Sequence, residues 1–421
     1  MAPAPVDVRV ARGEDGTIRI APGSAAGPDF ARAVLDVAGA VLAWSVLGDP
    51  GPPVAEVHDV GRAQQWLWAV YGERVAAAVH DCASGAPDAV RVRADPTALA
   101  GAAARLGLGH WAARWWPASH TDGIPALEPD VLGLELAALT HGCQQLFDDV
   151  GDQPDDCVPE LIEDHRAALE PLIRWWRAAP QPADTARHLE RVLRLIDGAA
   201  DAAGLDGPHL RHLRAALDDD GPAGTPVDPG ALFARPGGYA LAAGGPLATG
   251  GRVIARGSGT NDWRRCPPGL VDASETAVTW TARALGARRR IDVEAVAHLA
   301  APAAGAHLVA EVRVDDGRPH RVPLARRDDL WTGHADLDLP ATAMPSRIEV
   351  GVLLPGFDPG PGPGPDAGRG PGPDARTSGR ADRDAVRALV RRRLATAAEP
   401  HASDAGLFLA EIAAAATDED Y

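Results

Sequence analysis

"GHWAARWWPASHTDGIPAL", residues 109–127, sets three tryptophans and two histidines between a glycine and a helix-stopping proline. The stretch reads either as the rim of an active site or as the buried end of a helix. Spacing decides between them. Leu108, Trp111, Ala112 and Trp115 recur at i, i+3, i+4 and i+7, which is one face of a helix. Pro117 ends that helix and pushes Trp116 towards an extended backbone. Trp175 and Trp176 close another helical run in the same manner, and aromatics so placed act as core or interface anchors. His110, His120 and Asp122 are the polar groups that would line a pocket here, but no second motif points at them. The expectation is a buried helix corner.

Working outward, the helical period continues through residues 96–220. Leu132, Leu136, Leu139, Cys143 and Leu146 repeat it, as do Leu161, Ile162, His165, Leu169, Leu172, Ile173 and Trp176. Further helices near 183–204 and 207–218 complete an all-α helical bundle. Upstream, residues 1–95 read as a small α+β module. "VDVRV" (6–10) and "TIRI" (17–20) alternate as a hairpin, helices are expected over 28–47 and 59–82, and "DAVRVRAD" (88–95) is a third strand.

Downstream, residues 235–357 offer about seven short alternating segments separated by Gly, Pro and Asp turns, the pattern of an antiparallel β-sandwich. "VRVDDGRPHRVPL" (312–324) is the clearest hairpin, with Asp316-Gly317 at its tip. Residues 358–382 are rich in proline and glycine, with no apolar surface to bury, and are expected to be a disordered linker. Residues 383–421 form a tail with two amphipathic helical segments. The expected fold class is thus multidomain α+β.

Composition bounds the function. The chain has 421 residues, 46% hydrophobic and 24% charged, which is ordinary for globular domains and too long for one core. Net charge is −17, which opposes any general affinity for nucleic acid. No apolar run reaches the length of a transmembrane helix, and the start lacks the layout of a secretory signal, so the expected location is cytoplasmic. Every basic residue is arginine, and with the abundant Ala, Gly and Pro this suggests a GC-rich genome such as an actinobacterium's. Cys82, Cys143, Cys157 and Cys266 form no CxxC pair and read as buried small hydrophobes; a Cys143–Cys157 disulfide is conceivable.

The motifs that could carry chemistry are few. In "LFDDVGDQPDD" (146–156), Asp148, Asp149 and Asp152 fit a DDxxD spacing and resemble the motif by which terpene synthases hold magnesium and a substrate diphosphate. The second metal motif of that family is missing, however, and Asn261-Asp262 sits in a loop of the β region. The bland reading is a solvated helix end. His209 and His212 have HxxH spacing without an adjacent acidic ligand. Ser258 lies between glycines but lacks the spacing of a nucleophile elbow.

The tail carries the remaining signal. Arg383, Arg387 and Arg391 stand at i, i+4 and i+8 opposite an apolar stripe, and Leu407, Phe408, Leu409 and Ile412 form a second stripe. Stripes this short do not hold isolated helices in water, so they fold either on the chain's own domains or on a partner. The long tether favours a partner. The resulting expectation is a non-enzymatic scaffold or adaptor of a bacterial multiprotein system, with no cofactor and a protein partner bound at Arg383, Arg387, Arg391, Leu407, Phe408 and Ile412. Two alternatives stand beside it. One is a metal-dependent enzyme using the Asp148 segment; the other is a ligand-binding protein using the β region, with Trp263 and Trp331 as contacts.

Overall fold

The computed structural model describes residues 5–22, 28–48, 51–85, 87–95, 97–147, 157–178, 182–219, 224–233, 251–298, 301, 305–315, 317–337, 347–357, 373–399 and 406–416. The chain has both helices and antiparallel sheets, and it divides into two compact units. The first comprises Met1–Ala113, Leu127–Ala234 and Pro371–Tyr421; the second comprises Arg114–Ala126 and Arg235–Gly370.

The first unit opens with a six-stranded antiparallel sheet. Its strands are β1 (Val6–Arg12), β2 (Ile18–Ala21), β3 (Arg32–Val37), β4 (Ala40–Ser45), β5 (Val54–Val57) and β6 (Ala89–Ala94), in the order β3-β4-β5-β2-β1-β6. Strict alternation puts one row of apolar side chains across all six: Val90, Val10, Ile20, Ala55, Leu42 and Leu35. Helices α1 (Val60–Tyr71) and α2 (Glu73–Ala83) follow β5 and bury Trp66, Leu67, Val70 and Val79. Trp66 donates its indole N–H to the Ala38 carbonyl (2.9 Å), and Tyr71 its hydroxyl to Pro53 (3.0 Å), so both large rings are satisfied where they are buried. The opposite face is polar, with Arg19 paired to Glu56 across the β2–β5 ladder.

Residues 28–47, expected as a helix, form instead a 3-10 turn (Asp29–Ala31) and the β3–β4 hairpin. Ala33, Leu35 and Val37 pair with Trp44, Leu42 and Ala40 on one face, while Val34 and Asp36 are exposed. The alanines hide this period of two, because they suit a helix as well. The loop is only Ala38-Gly39. Gly39 has φ +73°, and its carbonyl accepts the N–H groups of both His58 and Asp59. A Cβ there would lie 2.3 Å from the Asp59 carbonyl oxygen.

Among the described residues, the regular structure in the rest of the first unit is helical: α3 (Ala98–Trp115), α4 (Pro129–Gly142), α5 (Cys157–His165), α6 (Leu169–Arg177), α7 (Ala183–Ala202), α8 (Pro208–Asp218), the short α9 (Pro229–Phe233), α10 (Pro373–Ala398) and α11 (Leu409–Ala416). Helix α4 is buried almost all round, with Val131–Ala138 and Thr140 inside, which marks it as the centre of the bundle. Residues 373–382, expected in a disordered linker, belong to α10; residues 358–372 lie outside the described residues. The chain is in the second unit before this stretch and in the first after it.

Among the described residues, the second unit carries seven strands: β7 (Arg252–Asn261), β8 (Val278–Leu285), β9 (Arg288–Val296), β10 (Leu308–Val314), β11 (His320–Arg327), β12 (Leu330–Leu337) and β13 (Ile348–Leu353). Each overlaps one of the expected segments, although β7 runs on through Ser258 to Asn261, which was expected to be loop, and they form a closed barrel, β10-β11-β12-β9-β8-β7-β13, rather than a sandwich. Seven strands cannot alternate direction all the way round a ring, so one neighbouring pair must be parallel. That pair is β13–β7, through Gly351↔Thr260 and Val352↔Asn261. Alternation in sequence tells inside from outside and is silent on closure; closure depends on how closely the two end strands approach. At Gly259 a Cβ would come within 2.2 Å of the Val350 carbonyl oxygen, so glycine is what lets them meet. The interior is filled by Val278, Trp280, Ala282, Ile291, Val293, Ala310 and Val322. Cys82, Cys143 and Cys266 are free buried thiols, and burial pushes Cys143 and Cys266 up to about 12.

Two glycine substitutions test these closures. Gly39→Ala adds a clash and a strained φ, and is expected to destabilise the first unit by about 1–3 kcal/mol or more in urea unfolding. Gly259→Ala is expected to do the same to the barrel. Unchanged unfolding midpoints would show that neither close approach matters.

Candidate functional site

The tail residues singled out from sequence sit inside the first unit. Arg383 and Arg387 are buried on the same side as Val386 and Val390, and Arg387 donates to Asp384 (2.9 Å). Arg391 is exposed and Ile412 half-buried, while Leu407 and Phe408 are buried. The expected free arm is therefore folded on the chain's own body. Helices α10 and α11 pack on each other, and α11 packs on α4 and α9.

Two buried glutamates organise this dock. Glu411 lies at the third position of α11 and reaches back to accept the Phe408 N–H (2.8 Å), as in a capping box. Its two oxygens also accept from Arg393 Nε and Nη2 at 2.6 and 2.7 Å, a bidentate pair between α10 and α11. Glu135, 1% exposed in the middle of α4, accepts the Ala410 N–H (3.4 Å). It thereby caps α11 from a different helix, where the helix dipole favours an anion. Arg105 Nη2 lies 3.7 Å from Glu135 Oε1 and donates to the Leu407 carbonyl (2.9 Å). The Phe408 ring is flanked by the guanidinium groups of Arg105 and Arg393, 5.5 and 6.0 Å from its centroid. Gly109 leaves room for that ring, since a Cβ there would lie 3.3 Å from Phe408 Cζ and 2.6 Å from a Leu136 methyl. His188 also approaches Glu135, its Nε2 3.7 Å from Oε1. Arg191 donates to His188 Nδ1 (2.7 Å), which leaves the ring proton on Nε2, facing the carboxylate.

Arg105, Glu135, Arg393 and Glu411 were not singled out from sequence. The legible signal was Glu135, a lone carboxylate in the apolar run "VLGLELAAL" (131–139) at a core position of a helix.

A second concentration of polar and aromatic groups lies at one end of the barrel. Strands β7, β9, β11 and β13 end there, and β8, β10 and β12 begin there. The segment 114–126 of the opening stretch belongs to this end. The Asp272 carboxylate accepts from Ser119 Oγ (2.8 Å), the His120 N–H (2.8 Å) and the Ser274 N–H (2.9 Å). Trp116 donates to the Pro125 carbonyl (2.9 Å), and Trp115 meets Phe357 edge-on at 6.1 Å, with Arg114 over both rings. Trp111, by contrast, donates to the Phe30 carbonyl (2.8 Å) in the first unit. The tryptophans are buried, as the helix-corner reading expects, but they serve two units; His110 belongs to one and His120 and Asp122 to the other.

Trp263 and Trp331 are fully buried core residues; Trp331 donates to the Leu270 carbonyl (2.9 Å) and carries the Arg326 guanidinium over its ring. Burial holds the His298 imidazole below its ordinary range, with Asp272 opposing the shift. Asn261, 2% exposed at the end of β7, has neither amide atom hydrogen-bonded among the described residues. Asp148, Asp149 and Asp152 lie outside the described residues. Among the described residues, no group of three or more His, Cys, Asp or Glu is placed to hold a metal. No helix among them is long and apolar enough to cross a membrane. Comparison with protein families, with curated proteins and with solved structures found no match.

Two substitutions read these sites. Glu411→Ala removes the carboxylate that accepts from Arg393 Nε and from the Phe408 N–H, leaving Arg393 only its bond to the Gly406 carbonyl there, and is expected to cost the first unit about 3–5 kcal/mol, measured by urea unfolding. Loss of under a tenth of that would mean the dock does not stabilise the body. In the barrel, hydrogen bonding and charge from Arg265 hold the Glu311 carboxyl below its usual range. A carboxyl lowered in the folded state contributes stability above its unfolded pKa and loses it as pH falls through the folded one. Arg265→Ala should therefore weaken the barrel at pH 7, and the difference from wild type should vanish below the ordinary carboxylate range. A difference that persists unchanged in acid would rule out the pair as its cause.

Proposed function

We propose that the protein is a non-enzymatic scaffold or adaptor of a bacterial multiprotein system, cytoplasmic, and that its protein partner binds at the dock where residues 383–416 meet the helical bundle. The observation that carries this reading is the way the α11 segment is held. An amphipathic helix lies in a groove with an aromatic anchor, a bidentate ion pair and a capped N-terminus, which is the grammar of helix-in-groove recognition between proteins. The net charge of −17 fits a partner other than nucleic acid.

A second reading, ligand binding by the barrel, is favoured by one observation. The Asn261 amide has a donor and an acceptor with no hydrogen-bond partner among the described residues, at a barrel end, a common place for a small-molecule site. The metal-dependent alternative rests on Asp148, Asp149 and Asp152, which lie outside the described residues.

Cross-linking mass spectrometry on cells that make the protein tests the adaptor reading. A second protein cross-linked near residues 105–136 or 393–416, with an abundance that changes in a Phe408→Ala strain, is the expected result. A map with no second protein at those positions, or one indifferent to Phe408→Ala, rejects it.

A further inference from the structure

The chain's own C-terminal segment defines what its groove recognises. Leaving α11 aside, the groove offers four features: the Glu135 carboxylate for free N–H groups of a helix start, and Arg105 for the carbonyl just before it. Gly109 makes the slot for an aromatic ring, and Arg393 makes a fork for a carboxylate one turn on. Each feature meets its complement in the order carbonyl of Leu407, ring of Phe408, N–H of Ala410 and carboxylate of Glu411. Helix α11 is only eight residues long, too short to hold its shape alone, so its helicity depends on the groove.

We infer that this groove is a receptor for a partner helix whose first turn reads Phe-x-x-Glu, and that α11 occupies it in cis as an autoinhibitory pseudo-ligand. The inference rests on the adaptor reading and names its partner's chemistry. The Arg393 fork favours a ligand carrying a carboxylate, because it holds Glu411 through both carboxylate oxygens and would meet a ligand glutamate in the same way. The aromatic is specified equally closely, because both guanidinium groups lie over the one ring. A bound segment in cis lowers apparent affinity by the fraction of time the groove is open, so partner binding is slaved to release of α11.

The probe is a fluorescein-labelled synthetic peptide spanning residues 404–418, titrated by anisotropy against the purified full-length chain. In the full-length Phe408→Ala/Glu411→Gln variant, α11 has lost its anchors while the groove residues are intact. The peptide should bind this variant about tenfold or more tighter than wild type. The same peptide with its own Phe or Glu replaced should bind neither protein. Hydrogen exchange on wild type gives a second arm that needs no variant: excess peptide should deprotect the chain's own amides 409–416 while leaving α4 protected. Equal affinity for both proteins, or no deprotection at saturating peptide, overturns the inference. Because this test uses purified protein and the chain's own sequence, its failure leaves a partner found by cross-linking in place. Its success without any such partner would fault the adaptor reading instead.

Discussion

A carboxylate stands in the middle of α4, a helix buried almost all round. Glu135 is 1% exposed, flanked in α4 by Leu134 and Leu136, and burying a carboxylate there without partners would cost several kcal/mol, a large share of a domain's stability. Its position is tolerable only because other elements converge on it: Arg105 from α3, His188 from α7 and the N-terminus of α11. The requirement is reciprocal. An eight-residue helix has unsatisfied N–H groups at its start, and Glu135 and Glu411 between them take two. The C-terminal segment and the bundle each meet a polar need of the other that water would otherwise meet.

The same economy of polar groups explains the barrel end. Asp272 is buried, and it closes the Ser119–Ile124 turn onto the loop before β8 by accepting three hydrogen bonds. One carboxylate thus fixes a segment that lies far away in sequence. Around it the large rings of Trp115, Trp116 and Trp331 have polar partners or ring contacts, and Asn261 stands out because its amide has none among the described residues.

Residues 109–127 illustrate how much a helical period can and cannot say. The period gives a helix, buries Trp111 and Trp115, and stops at Pro117. It does not say that the chain changes unit between Ala113 and Arg114, because that depends on what each ring packs against: Phe30 for Trp111, Phe357 for Trp115.

By itself, the sequence determined where most elements lie and which way their side chains face. The hairpin at the start, the helices after 59, the seven barrel strands and the apolar stripes of the tail follow from local period and turn residues, which act over a few neighbours. It failed at 28–47, where alanines satisfy both periods, until Gly39 and its long-range contact with Asp59 select the hairpin. Tertiary structure alone decided the rest: closure of the barrel through Gly259 and the parallel β7–β13 pair, and the burial of Arg383, Arg387 and Phe408 in the chain's own body. Those outcomes turn on pairings between residues far apart in sequence, such as Gly351 with Thr260 and Arg105 with Leu407, and on buried charges finding partners. No local pattern encodes them, because the free energy of a buried ion or a closed sheet belongs to the assembled pair and to neither segment alone.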